Sequence, residues 1–114
     1  MSNFLALVVE DDPLQRIVLA DLLKDEGLEV LECASAEAAE MVLVSTGTEL
    51  RAIVTDVELA GNMSGLELAQ YAKRKFPHLN VIIVSGRSAA YIPYETTFLK
   101  KPYLPAELMK AVLN

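Results

Sequence analysis

Phe4-Leu5-Ala6-Leu7-Val8-Val9 runs directly into Glu10-Asp11-Asp12-Pro13 near the start of the chain. Six consecutive apolar residues read as a strand buried on both faces, and such strands belong to parallel sheets covered by helices. Asp12 then offers an N-cap and Pro13 the first helical position, so strand passes to helix within a few residues. The predicted helix carries Ile17, Val18, Leu22 and Leu23 as its apolar stripe and ends at Gly27.

The same alternation continues outward from this unit. Leu28 to Cys33 reads as a second strand; Ser35 caps a helix with Ala38, Ala39, Val42 and Leu43 inward, broken at Thr46-Gly47-Thr48. Ala52-Ile53-Val54-Thr55 leads to Asp56, and Ser64-Gly65-Leu66-Glu67 has the spacing of a capping box for a third helix with Leu68, Ala69, Ala72 and Phe76 toward the sheet. Val81-Ile82-Ile83-Val84 reaches Ser85. A stretch without clear periodicity that contains Pro93 follows, so any helix there is short or distorted. Thr96 to Leu99 forms the fifth strand, and Pro105 starts a last helix through Leu108, Val112 and Leu113. All five runs are expected to be buried strands of one α/β domain over residues 1–114, doubly wound, with helices on both faces.

Composition narrows the functional classes. A hydrophobic fraction of 53% and a mean hydropathy of +0.31 suit a sheet covered on both sides. The longest apolar run is far too short to cross a membrane, and no signal peptide is evident, so a cytoplasmic protein is expected. A net charge of −6 argues against nucleic acid as partner. The one basic run, Lys73-Arg74-Lys75, falls in the last turn of a helix, where cations complement the macrodipole. Cys33 is the only cysteine and reads as a small buried apolar group; His78 reads as an ordinary loop histidine.

The chemistry lies at the strand ends. In an open parallel sheet every carboxyl end lies on one edge, so Glu10-Asp11, Asp56, Ser85 and Lys100-Lys101 converge there. Like charges about 4 Å apart repel by roughly 4 kcal/mol at an effective dielectric near 20, so an acidic cluster of this kind persists when a cation neutralises it. Hard oxygen donors with room for water suit Mg²⁺. Asp56 is the candidate nucleophile for phosphoryl transfer, with Ser85 and Lys101 holding other phosphoryl oxygens. Adjacent strand residues point to opposite sides, so only one of Lys100 and Lys101 can serve.

Taken together, Leu7-Val8-Val9-Glu10-Asp11-Asp12-Pro13, Thr55-Asp56 with Met63-Ser64-Gly65-Leu66-Glu67-Leu68, Ile83-Val84-Ser85-Gly86, and Phe98-Leu99-Lys100-Lys101-Pro102-Tyr103 resemble a response regulator receiver domain of two-component signalling. The resemblance spans essentially the whole chain. It implies a flavodoxin-like sheet of strand order 2-1-3-4-5. It also implies phosphoryl acceptance by Asp56 from a histidine kinase or histidine phosphotransfer protein, with the domain catalysing its own phosphorylation and dephosphorylation and acting on a downstream protein target. On the same ground Glu10, Asp11, Asp56 and the backbone carbonyl of Glu58 are the Mg²⁺ ligands, Ser85 and Phe98 the switch pair, and Lys101 the catalytic lysine, often joined to proline through a cis peptide.

Several positions depart from that pattern. Glu10 replaces the commoner aspartate. Ala60 stands where many members have proline and the loop Leu59 to Met63 runs slightly long, so a more mobile loop is expected. Ser85 and Lys101 are only 101 − 85 = 16 positions apart, which shortens or removes the helix between the last two strands and with it part of the usual output and dimerisation face. Tyr91, Tyr94, Phe98 and Tyr103 near it either form a partner patch or fill the space of the missing helix; a homodimer stays open. Glu58 and Arg87, two residues beyond Asp56 and Ser85, are placed to pair across the pocket mouth and tune phosphoryl lifetime. A stand-alone receiver is the leading reading. A receiver portion of a hybrid histidine kinase acting in a phosphorelay and a small Mg²⁺-dependent aspartyl phosphatase are the alternatives.

Overall fold

A computed structural model describes residues 4–88 and 91–114. Five strands, β1 (Leu5–Val9), β2 (Glu29–Cys33), β3 (Ala52–Asp56), β4 (Asn80–Ser85) and β5 (Thr97–Lys100), form one parallel sheet of order β2-β1-β3-β4-β5. Four helices surround it: α1 (Pro13–Asp25), α2 (Ala36–Thr46), α3 (Gly65–Lys75) and α4 (Pro105–Leu113). This is the doubly wound, flavodoxin-like α/β fold of the predicted strand order, with α1 and α4 on one face of the sheet and α2 and α3 on the other.

The helix starts follow local chemistry. Asp12 accepts from the Leu14 and Gln15 amides, Ser35 from the Ala38 amide, and Ser64 and Glu67 form a reciprocal capping box. Asn80 secures the far end of α4, donating from Nδ2 to the Ala111 and Val112 carbonyls at 2.6 and 3.0 Å. Lys73 does more than offset a dipole: its Nζ donates to the Pro77 and Leu79 carbonyls and ties down the chain leaving α3. His78 Nε2 bonds the Leu50 carbonyl at 3.1 Å, a structural role.

Two expectations need correction. Only β1, β3 and β4 are buried along their length; β2 and β5 are edge strands with one neighbour each and are largely half-buried or exposed. In α1 the buried face is Leu19, Ala20 and Leu23, while Ile17 and Val18 are about half exposed. The helix carries two apolar rows, and its docking onto the sheet selects the one 100° per residue brings round to positions 19, 20 and 23. After Ser85, where the spacing to Lys101 shortens or removes a helix, none of the described residues is helical; residues 89 and 90 lie outside the description. Pro93 is buried in that segment, and Thr96 Oγ1 donates to its carbonyl at 2.7 Å.

Candidate functional site

The strand register delivers the chemistry to one edge. Asp56 ends β3 opposite Val84, Ser85 ends β4 opposite Lys100, and Glu10 follows β1 with its amide donating to the Cys33 carbonyl of β2. Lys101 continues past β5, its amide held by the Ser85 carbonyl at 2.7 Å, and the Lys101–Pro102 peptide is cis.

Lys101 is the centre of the cluster. Its Nζ lies 2.9 Å from Asp56 Oδ2, 3.5 Å from Glu10 Oε1 and 3.0 Å from Gln15 Oε1. Of the two adjacent lysines it is the one that reaches the acids, as strand alternation requires. Glu10 is only 3% exposed, yet its Oε2 accepts the Asp12 amide and its backbone carbonyl accepts Arg16 Nη1 at 2.9 Å. Burial pushes the Glu10 carboxyl above the ordinary glutamate value; the Asp12 amide opposes this, and Asp56 and Asp11 add to it. Burial pulls the Lys101 ammonium down, but Asp56 and Glu10 more than reverse that, leaving it above its ordinary value. A crowded set of carboxylates held by one ammonium keeps an excess of negative charge and attracts further positive charge.

Asp11 points elsewhere: its Oδ2 accepts the Ala60 amide at 3.1 Å. Among the described residues no three acidic, histidine or cysteine side chains stand ready to hold an ion without moving. The donor chemistry nevertheless fits a hard divalent cation, since the carboxylate oxygens of Glu10, Asp11 and Asp56 are the kind of donor such an ion selects. Ser85 is buried and its Oγ accepts the Arg87 amide at 3.1 Å. Phe98 on β5 is half-buried and packs into the α2/α3 core. The described residues include no helix long and apolar enough to cross a membrane.

The response regulator receiver domain model matches residues 6–113. The chain belongs to the receiver family. This receiver is 34% identical over 113 residues to the transcriptional regulatory protein FixJ of Azorhizobium caulinodans, covering 92% of this chain and 51% of that protein. It is 33% identical over 87 residues to a putative NtrX-like response regulator of Rickettsia bellii, covering 75% of this chain and 18% of that protein. The chain thus spans about half or less of these curated relatives. Among solved structures, the receiver domain of the hybrid histidine kinase CckA superposes with a TM-score of 0.81 at 31% identity, covering 96% of this chain and 99% of that one. A receiver protein from Sinorhizobium medicae superposes at 0.90 with 24% identity, covering 98% and 93%, and supports the fold. Phosphoryl acceptance in two-component signalling is the general property of this family.

The receiver's departures take physical form here. The loop after Asp56 lacks proline at Ala60, yet carboxylates fix it: Asp11 accepts from Ala60, Glu37 from Asn62 and Met63, and Glu67 from Ser64. Arg87 Nη1 and Glu58 Oε2 stand 3.4 Å apart with side chains 81% and 69% exposed, an ion pair on the surface. The four aromatics divide. Phe98 and Tyr103 pack against the two cores, whereas Tyr91 and Tyr94 are 55% and 83% exposed.

Three contributors escape sequence reading: Gln15 on Lys101, Arg16 on the Glu10 carbonyl, and Gly65. A Cβ on Gly65 would stand 1.6 Å from the Asp56 carbonyl oxygen, so α3 can begin against β3 only with glycine there. Glycine following a capping serine is the one local hint.

Proposed function

We propose that this receiver is a phosphorylation-switched signalling module that accepts a phosphoryl group on Asp56 from a phosphohistidine donor in a Mg²⁺-dependent reaction and thereby alters partner binding. The observation that carries the proposal is the contact of Lys101 Nζ with Asp56 Oδ2 at 2.9 Å beside buried Glu10. Glu10, Asp11, Asp56 and the Glu58 carbonyl are the groups to hold Mg²⁺, which would screen the repulsion between carboxylate and phosphoryl oxygens.

The chain's residues supply the rest. An Asp56 carboxylate oxygen attacks phosphorus, the phosphorus–nitrogen bond to the donor imidazole breaks, and an aspartyl phosphate remains. Lys101 neutralises a phosphoryl oxygen, held over the pocket by Gln15. Ser85 donates its hydroxyl to another, and Phe98 repacks with it as the switch. Positioning and neutralisation of charge are most of what this transfer needs. The exposed Glu58–Arg87 pair spans the path of hydrolytic water and tunes phosphoryl lifetime. Leu14, Val18, Leu22, Pro102 and Tyr103 line an apolar cavity of about 450 Å³ bordered by Lys101, which supports a kinase or phosphotransfer protein docking on α1 next to the nucleophile.

A position inside a phosphorelay is the second reading, favoured by the 31% identity to the hybrid-kinase receiver. Onward transfer of the label to a histidine phosphotransfer protein separates the two readings.

Intact-mass measurement after incubation with acetyl phosphate and Mg²⁺ tests the proposal. The parent gains about 80 Da, lost in hydroxylamine, while Asp56→Asn and chelator-treated samples gain nothing. Equal gain in Asp56→Asn would falsify the assignment.

A further inference from the structure

A carboxylate outside the phosphoryl pocket holds the loop that follows Asp56. Glu37 lies in the first turn of α2, and its Oε2 accepts from two consecutive loop amides, Asn62 at 2.8 Å and Met63 at 3.1 Å. Its Oε1 is buried with no hydrogen-bond partner. Gly61 turns beneath it with φ +102°, and a Cβ there would lie 2.8 Å from Oε1, so carboxylate and turn fit against each other. From the opposite side Asp11 Oδ2 takes the Ala60 amide, and the loop closes where Gly65 donates to the Val57 carbonyl at 2.8 Å.

The loop is thus suspended between an acid of the pocket and an acid of α2. An acidic residue in a first turn can be there for the helix dipole alone. That role needs only charge and is indifferent to direction. Glu37 instead aims one oxygen at two N–H groups of a segment 25 and 26 residues away, and α2 already has its cap in Ser35.

We propose that Glu37 is a positioning residue for phosphoryl transfer: it fixes residues 58 to 63 so that the Glu58 carbonyl is presented to a divalent ion, toward which the Asp11 carboxylate turns from Ala60 when the ion binds. The inference rests on the Mg²⁺ and Asp56 reading above and adds to it a residue on another helix, outside the pocket. Groups that orient ligands without touching the ion commonly change metal affinity by about tenfold or more when removed.

Four variants of the full chain separate the possibilities. Glu37→Ala removes both charge and reach. Glu37→Asp keeps the negative charge at the helix start but is one methylene too short for the loop. Glu37→Gln keeps an oxygen that can accept both amides. Ser35→Ala removes the cap of the same helix and leaves the loop contact alone. Two readings are taken by NMR on ¹⁵N-labelled protein: exchange of the Asn62 and Met63 amides, and the Mg²⁺ dissociation constant from titration with the metal alone.

Ala and Asp variants exchange those amides about tenfold faster and bind Mg²⁺ about tenfold more weakly, whereas Gln recovers most of both losses. Ser35→Ala lowers the melting temperature and leaves the Mg²⁺ constant unchanged. The proposal is overturned by Asp and Ala variants that match the parent in either reading, or by Ser35→Ala weakening Mg²⁺ as much as they do. Should Glu37→Ala not fold, the contrast of Asp with Gln decides alone. A parent that binds no Mg²⁺ and takes no phosphoryl group from acetyl phosphate sinks the underlying reading; variants indistinguishable from a working parent sink only the role of Glu37.

Discussion

Gly65→Ala offers a sharp test of how the fold seats Asp56, the proposed phosphoacceptor. The new Cβ would sit 1.6 Å from the Asp56 carbonyl oxygen, 2.7 Å from its carbonyl carbon and 3.0 Å from Thr55 Oγ1. Real Cβ contacts do not fall below 3.0 Å, so α3 and β3 must separate by at least 3.0 − 1.6 = 1.4 Å. Neither side is a flexible side chain. The Gly65 amide bond to Val57, now 2.8 Å, breaks under that separation. Overpacking costs about 1–3 kcal/mol, the lost hydrogen bond about 1, and the gain in helix propensity returns at most about 1. The net is about 2 kcal/mol of destabilisation, or roughly 8 °C in melting temperature for a domain of this size. Displacing Asp56 also removes it from Lys101, and a misplacement of about 1 Å can cost about a hundredfold in rate. Circular dichroism melting and acetyl-phosphate labelling, at a temperature where both proteins are folded, read the two effects. A variant that melts with the parent and labels at the parent's rate refutes the close approach.

Two further predictions concern the loop and the mouth. Labelling followed by chase gives autodephosphorylation rates for Glu58→Ala, Arg87→Ala and the double variant; the exposed pair predicts a non-additive double variant, and additive effects on log rate dismiss the coupling. Glu37 is held below its ordinary value of 4.5, first by its own backbone amide and then by that of Asn62, with burial opposing and Met63 assisting. A lowered carboxyl contributes stability above its unfolded pKa that is lost as pH falls through the folded value. Protection of the Asn62 and Met63 amides therefore persists at pH 4.5 and disappears only below it; loss near neutral pH would contradict the contact.

Much of this was legible from residue order because the signals are local. Asp12, Ser35 and Ser64 cap helices through bonds spanning two or three residues, and the strand runs with their terminal Asp56, Ser85 and Lys101 are contiguous patterns. The unread features are contacts across long separations. Gln15 meets Lys101 at a separation of 86 residues and Glu37 meets Asn62 at 25, with no periodicity to announce either. The face of α1 was ambiguous for another reason: Leu14, Val18 and Leu22 form a second apolar row, and only packing against the sheet decides which row is buried. Edge exposure of β2 likewise follows from strand order rather than from Glu29 to Cys33 themselves.

The most direct measurement of the central claim is to locate the phosphoryl group. Protein labelled with acetyl phosphate and Mg²⁺ is reduced with borohydride, which converts an acyl phosphate to an alcohol, and then digested for tandem mass spectrometry. The arrangement around Lys101 predicts homoserine at position 56 and unmodified Glu10, Asp11 and Ser85. Reduction products at Glu10 or Asp11, a phosphate ester at Ser85, or no reduction product in a sample that carried the added mass would contradict it.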